Sequence, residues 1–154
     1  MSSDSKPVPK KDPYTGDVGY VYTGKTKRGE TKGQLVVVLG VVSDKRGLDL
    51  IAQRSRVLCK NEIHEMITTD EADVVPGNRV DSVAVIGFFE VTQGGVIVVG
   101  QPVYFNGKEM GTIAGFDETH FPNHYNVVVY APKKFTGLEA GLELGDTVSI
   151  GTRP

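Results

Sequence analysis

The chain has 154 residues, 23% of them charged, and a formal net charge of -2 at pH 7. That length suits one domain able to bury a core without staples, and the near-neutral balance supplies no basic field for nucleic acid. Cys59 is the only cysteine, which excludes an intrachain disulfide and a cysteine-based zinc cluster.

Nineteen glycines, no tryptophan and abundant Val and Thr favour short strands joined by tight turns. Residues 1–13 are rich in proline and lysine and show no periodicity, so they are read as a disordered N-terminal tail before a single domain at 14–154. That start has no apolar core to act as a signal peptide. The longest apolar run, Leu35 to Val42, is broken by Gly40 and is too short to cross a bilayer. A cytoplasmic location and no membrane partner are the resulting expectations.

Val18 to Lys27 carries Val18, Tyr20, Val21 and Tyr22, side chains that suit a strand with one wet face. Arg28 to Gly33 is turn-rich. Gln34 to Val42 is a continuous β-branched run, predicted to be a central strand covered on both faces. Leu48 to Met66 admits two readings: a helix from about Ser55, or short strands at Leu48 to Ile51 and Arg56 to Cys59. Thr68 to Asp73 reads as an acidic surface turn. Val80 to Val91 and Val96 to Gly100 are predicted strands on either side of a reversal at Gln93 to Gly95.

The strongest local signal is Asn106-Gly107 between Val103-Tyr-Phe and Met110-Gly-Thr-Ile. Both residue types tolerate the positive φ of a type I′ turn, so a two-residue hairpin is predicted. Asn126 to Tyr130 is the next strand, Leu138 to Gly145 allows one helical turn, and Asp146 to Ile150 closes the chain as a strand. Seven or eight short strands, with at most one or two short helices, define an all-β class and a small closed or partly open β-barrel.

Between two of these strands lies a polar loop. It places Asp117, Glu118, His120, Asn123, His124 and Asn126 within ten residues, interleaved with Phe121 and Tyr125. His120 and His124 have helical spacing, but Pro122 between them removes a donor and keeps the pair on a loop. Three functional classes fit. His120, His124 and Asp117 are competent ligands for a divalent Zn, Fe, Mn or Ni ion. Without metal, His120 or His124 beside Asp117 or Glu118 suits proton transfer on a small acid or carbonyl compound. The third class is structural, with Asp117 capping a turn and the asparagines bonding backbone. Asn123, Tyr125 and Asn126 are candidate ligand contacts. Arg54 and Arg56 would share a strand face and hold an anion. His64 reads as a lone surface histidine that completes a site only if the fold brings it there.

The stretches Gly100 to Ile113 and Leu144 to Ile150 resemble small bacterial β-barrels such as the sugar-phosphotransferase IIA component for glucitol. The resemblance implies a barrel. That family's phosphate-accepting histidine motif has no counterpart here, so no residue or activity is carried over. The expectation is a small protein binding a small polar metabolite at the Asp117 to Asn126 loop, with turnover by His and carboxylate groups left open. The rival is a non-catalytic module forming a homo-oligomer.

Overall fold

The computed structural model describes residues 30–151. The expected tail and the Val18 to Lys27 strand lie outside the described residues. Asn106 and Gly107 adopt φ of 50° and 80°, and Phe105 pairs directly with Lys108. The type I′ hairpin is therefore present. It joins β9 (Pro102–Phe105) to β10 (Lys108–Asp117).

Twelve strands and no helix form among the described residues. Seven of them close a ring. β1 (Thr31–Val38) pairs with β12 (Thr147–Ile150), which pairs with β9. β10 follows, then β11 (Asn126–Tyr130), β5 (Ile63–Thr69) and β7 (Val83–Gln93), which returns to β1. All these pairings are antiparallel except β11 with β5. The fold is all-β and matches a partly open barrel. Gly87 makes the closure possible, because a Cβ there would collide with the Val37 carbonyl oxygen. β2 (Val42–Ser43) extends the sheet beside β7. Two small sheets pair β3 (Leu48–Asp49) with β6 (Arg79–Val80) and β4 (Ser55–Leu58) with β8 (Gly95–Val98).

Consecutive residues Met66 and Ile67, and likewise Val127 and Val128, enter different hydrophobic clusters. Neighbouring strand residues point to opposite faces, so there are two cores. The larger holds Phe89, Phe105, Phe116, Leu35 and Met66. The smaller packs Leu48 and Val80 from the β3 and β6 sheet, with Leu50 just after β3, onto Ile67, Val85 and Val128. Among the described residues no helix is long and apolar enough to cross a membrane.

Several expectations are corrected. The helix from Ser55 does not form: Ser55 to Leu58 is a strand held by β8, and Ile63 to Thr69 lies between β7 and β11. β1 starts at Thr31, inside the expected turn, and is paired on both edges but not buried on both faces. Val36 and Val37 are 36% and 39% exposed. A valine run there reports strand preference and not double burial. The Val80 to Val91 strand breaks at Asp81 and Ser82, whose N–H groups both donate to the Glu71 carboxylate at 2.7 and 2.8 Å. Thr68 and Thr69 are buried strand residues. The Thr68 hydroxyl accepts the Phe135 N–H at 3.0 Å and donates to its carbonyl at 2.8 Å. The Leu138 to Gly145 stretch forms no helix; a tight turn crosses only its start, with Ala140 N–H donating to the Thr136 carbonyl at 3.1 Å.

Candidate functional site

The loop between β10 and β11 is closed at its base by a strand pair, Asp117 opposite Asn126. Asp117 is buried. Its Oδ1 accepts the Thr119 N–H and an Asn126 amide hydrogen, both at 3.0 Å, and its Oδ2 accepts the Thr119 hydroxyl at 2.9 Å. A carboxylate bonded in this way fastens the loop.

Above this clamp the chain turns tightly. Phe121 N–H donates to Glu118 O at 3.0 Å, and Asn123 and His124 N–H both reach His120 O, at 2.9 and 3.4 Å. The Phe121–Pro122 peptide is cis. The reach from His124 back to His120 brings the two rings together without a helix: their centroids are 5.0 Å apart and nearly parallel. His120 is exposed, whereas the His124 side chain is only 11% exposed.

The parallel pairing of β11 with β5 brings in residues sixty positions away. Glu65 stands opposite Asn126, and its N–H donates to the Tyr125 carbonyl at 3.1 Å. Tyr125 N–H donates to His64 Nδ1 at 3.0 Å. That nitrogen must therefore carry a lone pair, which leaves the proton on Nε2 to bond Glu62 Oε1 at 3.2 Å. His64 is buried and stacks on the Tyr125 ring at 5.0 Å. The expectation of a surface histidine at this position is corrected. On the opposite face of β5, His124 Nε2 lies 4.0 Å from Glu65 Oε2 and its ring meets Phe88 edge-on at 5.2 Å. His124 Nδ1 contacts the Asn123 amide at 3.1 Å.

Arg56 and Arg54 do not act as a pair. Arg54 precedes β4 and is exposed. Arg56 lies over the Tyr125 ring at 5.5 Å and forms an ion pair with Glu118. It therefore steadies the loop and is not a free anion hook. The expected metal set of His120, His124 and Asp117 is not assembled, since the Asp117 carboxylate is turned to Thr119 and Asn126. Among the described residues no group of three His, Cys, Asp or Glu side chains is placed to hold a metal ion.

The electrostatics follow from burial. Desolvation, with His120 and His64 adding to it, pushes His124 below its ordinary value, against the pull of Asn126. Burial raises Glu65, outweighing nearby Arg46 and His120. For Glu62, burial pushes up, but the Cys59 N–H and His64 more than offset it and leave the carboxylate below its usual range. Three buried side-chain polar atoms among the described residues lack a hydrogen-bond partner: Arg56 Nε, His124 Nε2 and Asn126 Oδ1. All three lie in this loop, at its base or on the residue stacked on it. A cleft of about 120 Å³ opens between the loop and the start of β5. Clefts for drug-sized ligands are usually about 300 Å³ or more, so this one suits only a small group.

Sequence reasoning noted Glu62, His64 and Glu65 as a group that could complete a site in space, but favoured a lone surface histidine. The spacing of Glu62 and His64 by two was the available signal, since residues two apart share a strand face.

No curated protein and no solved structure matches the chain. One family model matches residues 25–151, and its description is a family of unknown function, DUF6917. That match spans most of the 154 residues, and the chain belongs to the DUF6917 family.

Proposed function

We propose that this chain is a small cytoplasmic protein that binds a small polar metabolite under the Glu118 to Tyr125 loop. We further infer that His124 and Glu65 exchange a proton there. The observation carrying this reading is the concentration of unpartnered buried polar atoms at one loop. Folded proteins pair nearly all such atoms, and exceptions gather where a ligand or a chemical role awaits them. Burial shifts His124 towards its neutral form and Glu65 towards its acid form. Groups whose environments shift them in this way are candidates for acid–base work.

The test follows the histidine ring signals by NMR while millimolar acetate, pyruvate or butylammonium is added. Saturable shifts at His64 and His124, lost in His124→Ala while the variant remains folded, are expected. No shift at either ring with any probe would overturn the reading.

A homo-oligomeric assembly module is the second reading, and the exposed apolar surface favours it. Val36, Val37, Val41 and Val42 are all exposed. Gly40, among them, packs against exposed Leu138. Large exposed apolar patches commonly mark interfaces. Light scattering decides this: a dimer that Val41→Lys converts to a monomer supports it, and a monomeric parent refutes it.

A further inference from the structure

We propose, building on the ligand-binding reading above, that the group bound in the cleft is a small alkylammonium held by Glu62. Among the described residues lining the cleft, only Glu62 is an acid or a permanent base. His64 Nδ1 accepts the Tyr125 N–H, so that edge of the ring offers no proton to a ligand, and burial shifts His124 towards its neutral form.

Glu62 also has capacity to spare. Its Oε1 accepts the Cys59 N–H at 2.7 Å and the His64 Nε2 proton at 3.2 Å. Its Oε2 accepts no hydrogen bond among the described residues, and no Lys or Arg pairs with Glu62 among them. The side chain is 43% exposed, so that oxygen is open to a ligand.

The rim around the carboxylate is apolar. Phe121 and Ile63 are 56% and 44% exposed, unusual for side chains of that size, and both line the cleft with Pro122. Phe121 stacks one ring face on Tyr125 at 5.7 Å, which leaves the other face for alkyl or cation–π contact. An anion would meet the Glu62 charge with no cation lining the cleft among the described residues, since Arg56 is committed to Glu118. A cleft of about 120 Å³ has room for an ammonium with a few carbons.

The probe is n-butylammonium chloride, with butyrate and butanol as charge controls of the same length. Binding is followed through the NMR signals of His64, Phe121 and Tyr125. Saturable binding of butylammonium is expected, with butyrate and butanol at least about tenfold weaker. Glu62→Gln should weaken butylammonium by a similar factor, and raising salt from about 0.05 to 0.5 M should weaken it further. Phe121→Ala, an exposed position, tests the wall without relying on the Glu62 variant to fold, and a severalfold loss is expected. Butyrate binding as well as butylammonium at the same signals would overturn the ammonium assignment and leave the binding loop standing. So would salt-independent butylammonium binding, or binding that survives in both Glu62→Gln and Phe121→Ala. No response to any of the three probes would sink both.

Discussion

Strand β10 is connected in two different ways at its two ends. Its start is the two-residue Asn106-Gly107 turn, held by its own backbone dihedrals. Its end is the loop from Glu118 to Tyr125, held by residues far away in sequence: His64 lies 61 positions from Tyr125, and Arg56 lies 62 from Glu118. Only the first is a local structure. Even there, Asn106 Oδ1 accepts the Thr147 N–H at 3.0 Å and so ties the turn to β12. The difference teaches where function is affordable. A loop assembled from distant partners can gather a histidine from β5 and a carboxylate from each of its faces, which a two-residue turn cannot.

The sharpest break in the long loop is expected from Asp117→Ala. It removes an acceptor from Thr119 and from the buried Asn126 amide, and each unsatisfied buried donor costs roughly 1–3 kcal/mol. A loss of about 2–4 kcal/mol in urea denaturation is expected. A loss below about 1 kcal/mol would show that the loop closes without its clamp.

At the other end of β10, Gly107→Val should cost about 1–2 kcal/mol, the usual strain of a branched side chain at positive φ. A Cβ at that position meets nothing within 4 Å, so the backbone alone is being tested. An unchanged melting temperature would mean the turn had switched type.

A smaller effect should separate the two ends. A double-mutant cycle on Arg56 and Glu118 should give a coupling of at most about 1 kcal/mol, because the Glu118 side chain is 35% exposed and solvent screens the pair. Zero coupling would assign loop closure to Asp117 and His64.

The smallest effect is the pH dependence contributed by His124. Its folded value lies below the ordinary 6.5, so the folded protein binds fewer protons than the unfolded chain as pH falls below that point. The stability advantage of the parent over His124→Gln is therefore full above pH 6.5 and declines below it. Glu65 is raised from 4.5, so it acts in the opposite sense: its ionised form costs stability, and protonation on falling pH relieves that cost. A parent that gained on His124→Gln below pH 6.5 would show the imidazolium pairing with Glu65 and would reverse the assignment.

The long loop was visible in the sequence as a cluster of polar residues between two strands, but the roles inside it were not. Asp117 read as a ligand, an acid–base partner or a turn cap because its residue type allows all three, and its bond from the Thr119 N–H matches the cap. Its strand pairing with Asn126 makes it a clamp. Arg54 and Arg56 looked equivalent because they are two apart, yet Arg54 falls outside β4 and only Arg56 reaches Tyr125. His64 gave a weak signal because neither its burial nor its stacking partner is encoded nearby.

By itself the sequence determined the all-β class, the Asn106-Gly107 hairpin and the placing of a polar loop between Phe116 and Val127. These depend on dihedral preferences and on alternation over a few residues, which are local properties. The tertiary structure alone decided that β11 runs parallel to β5, so that Glu62, His64 and Glu65 meet the loop and that His124, not His120, is desolvated. Burial and pairing depend on which strands become neighbours, and ring closure brings together segments that carry no mark of one another in the chain.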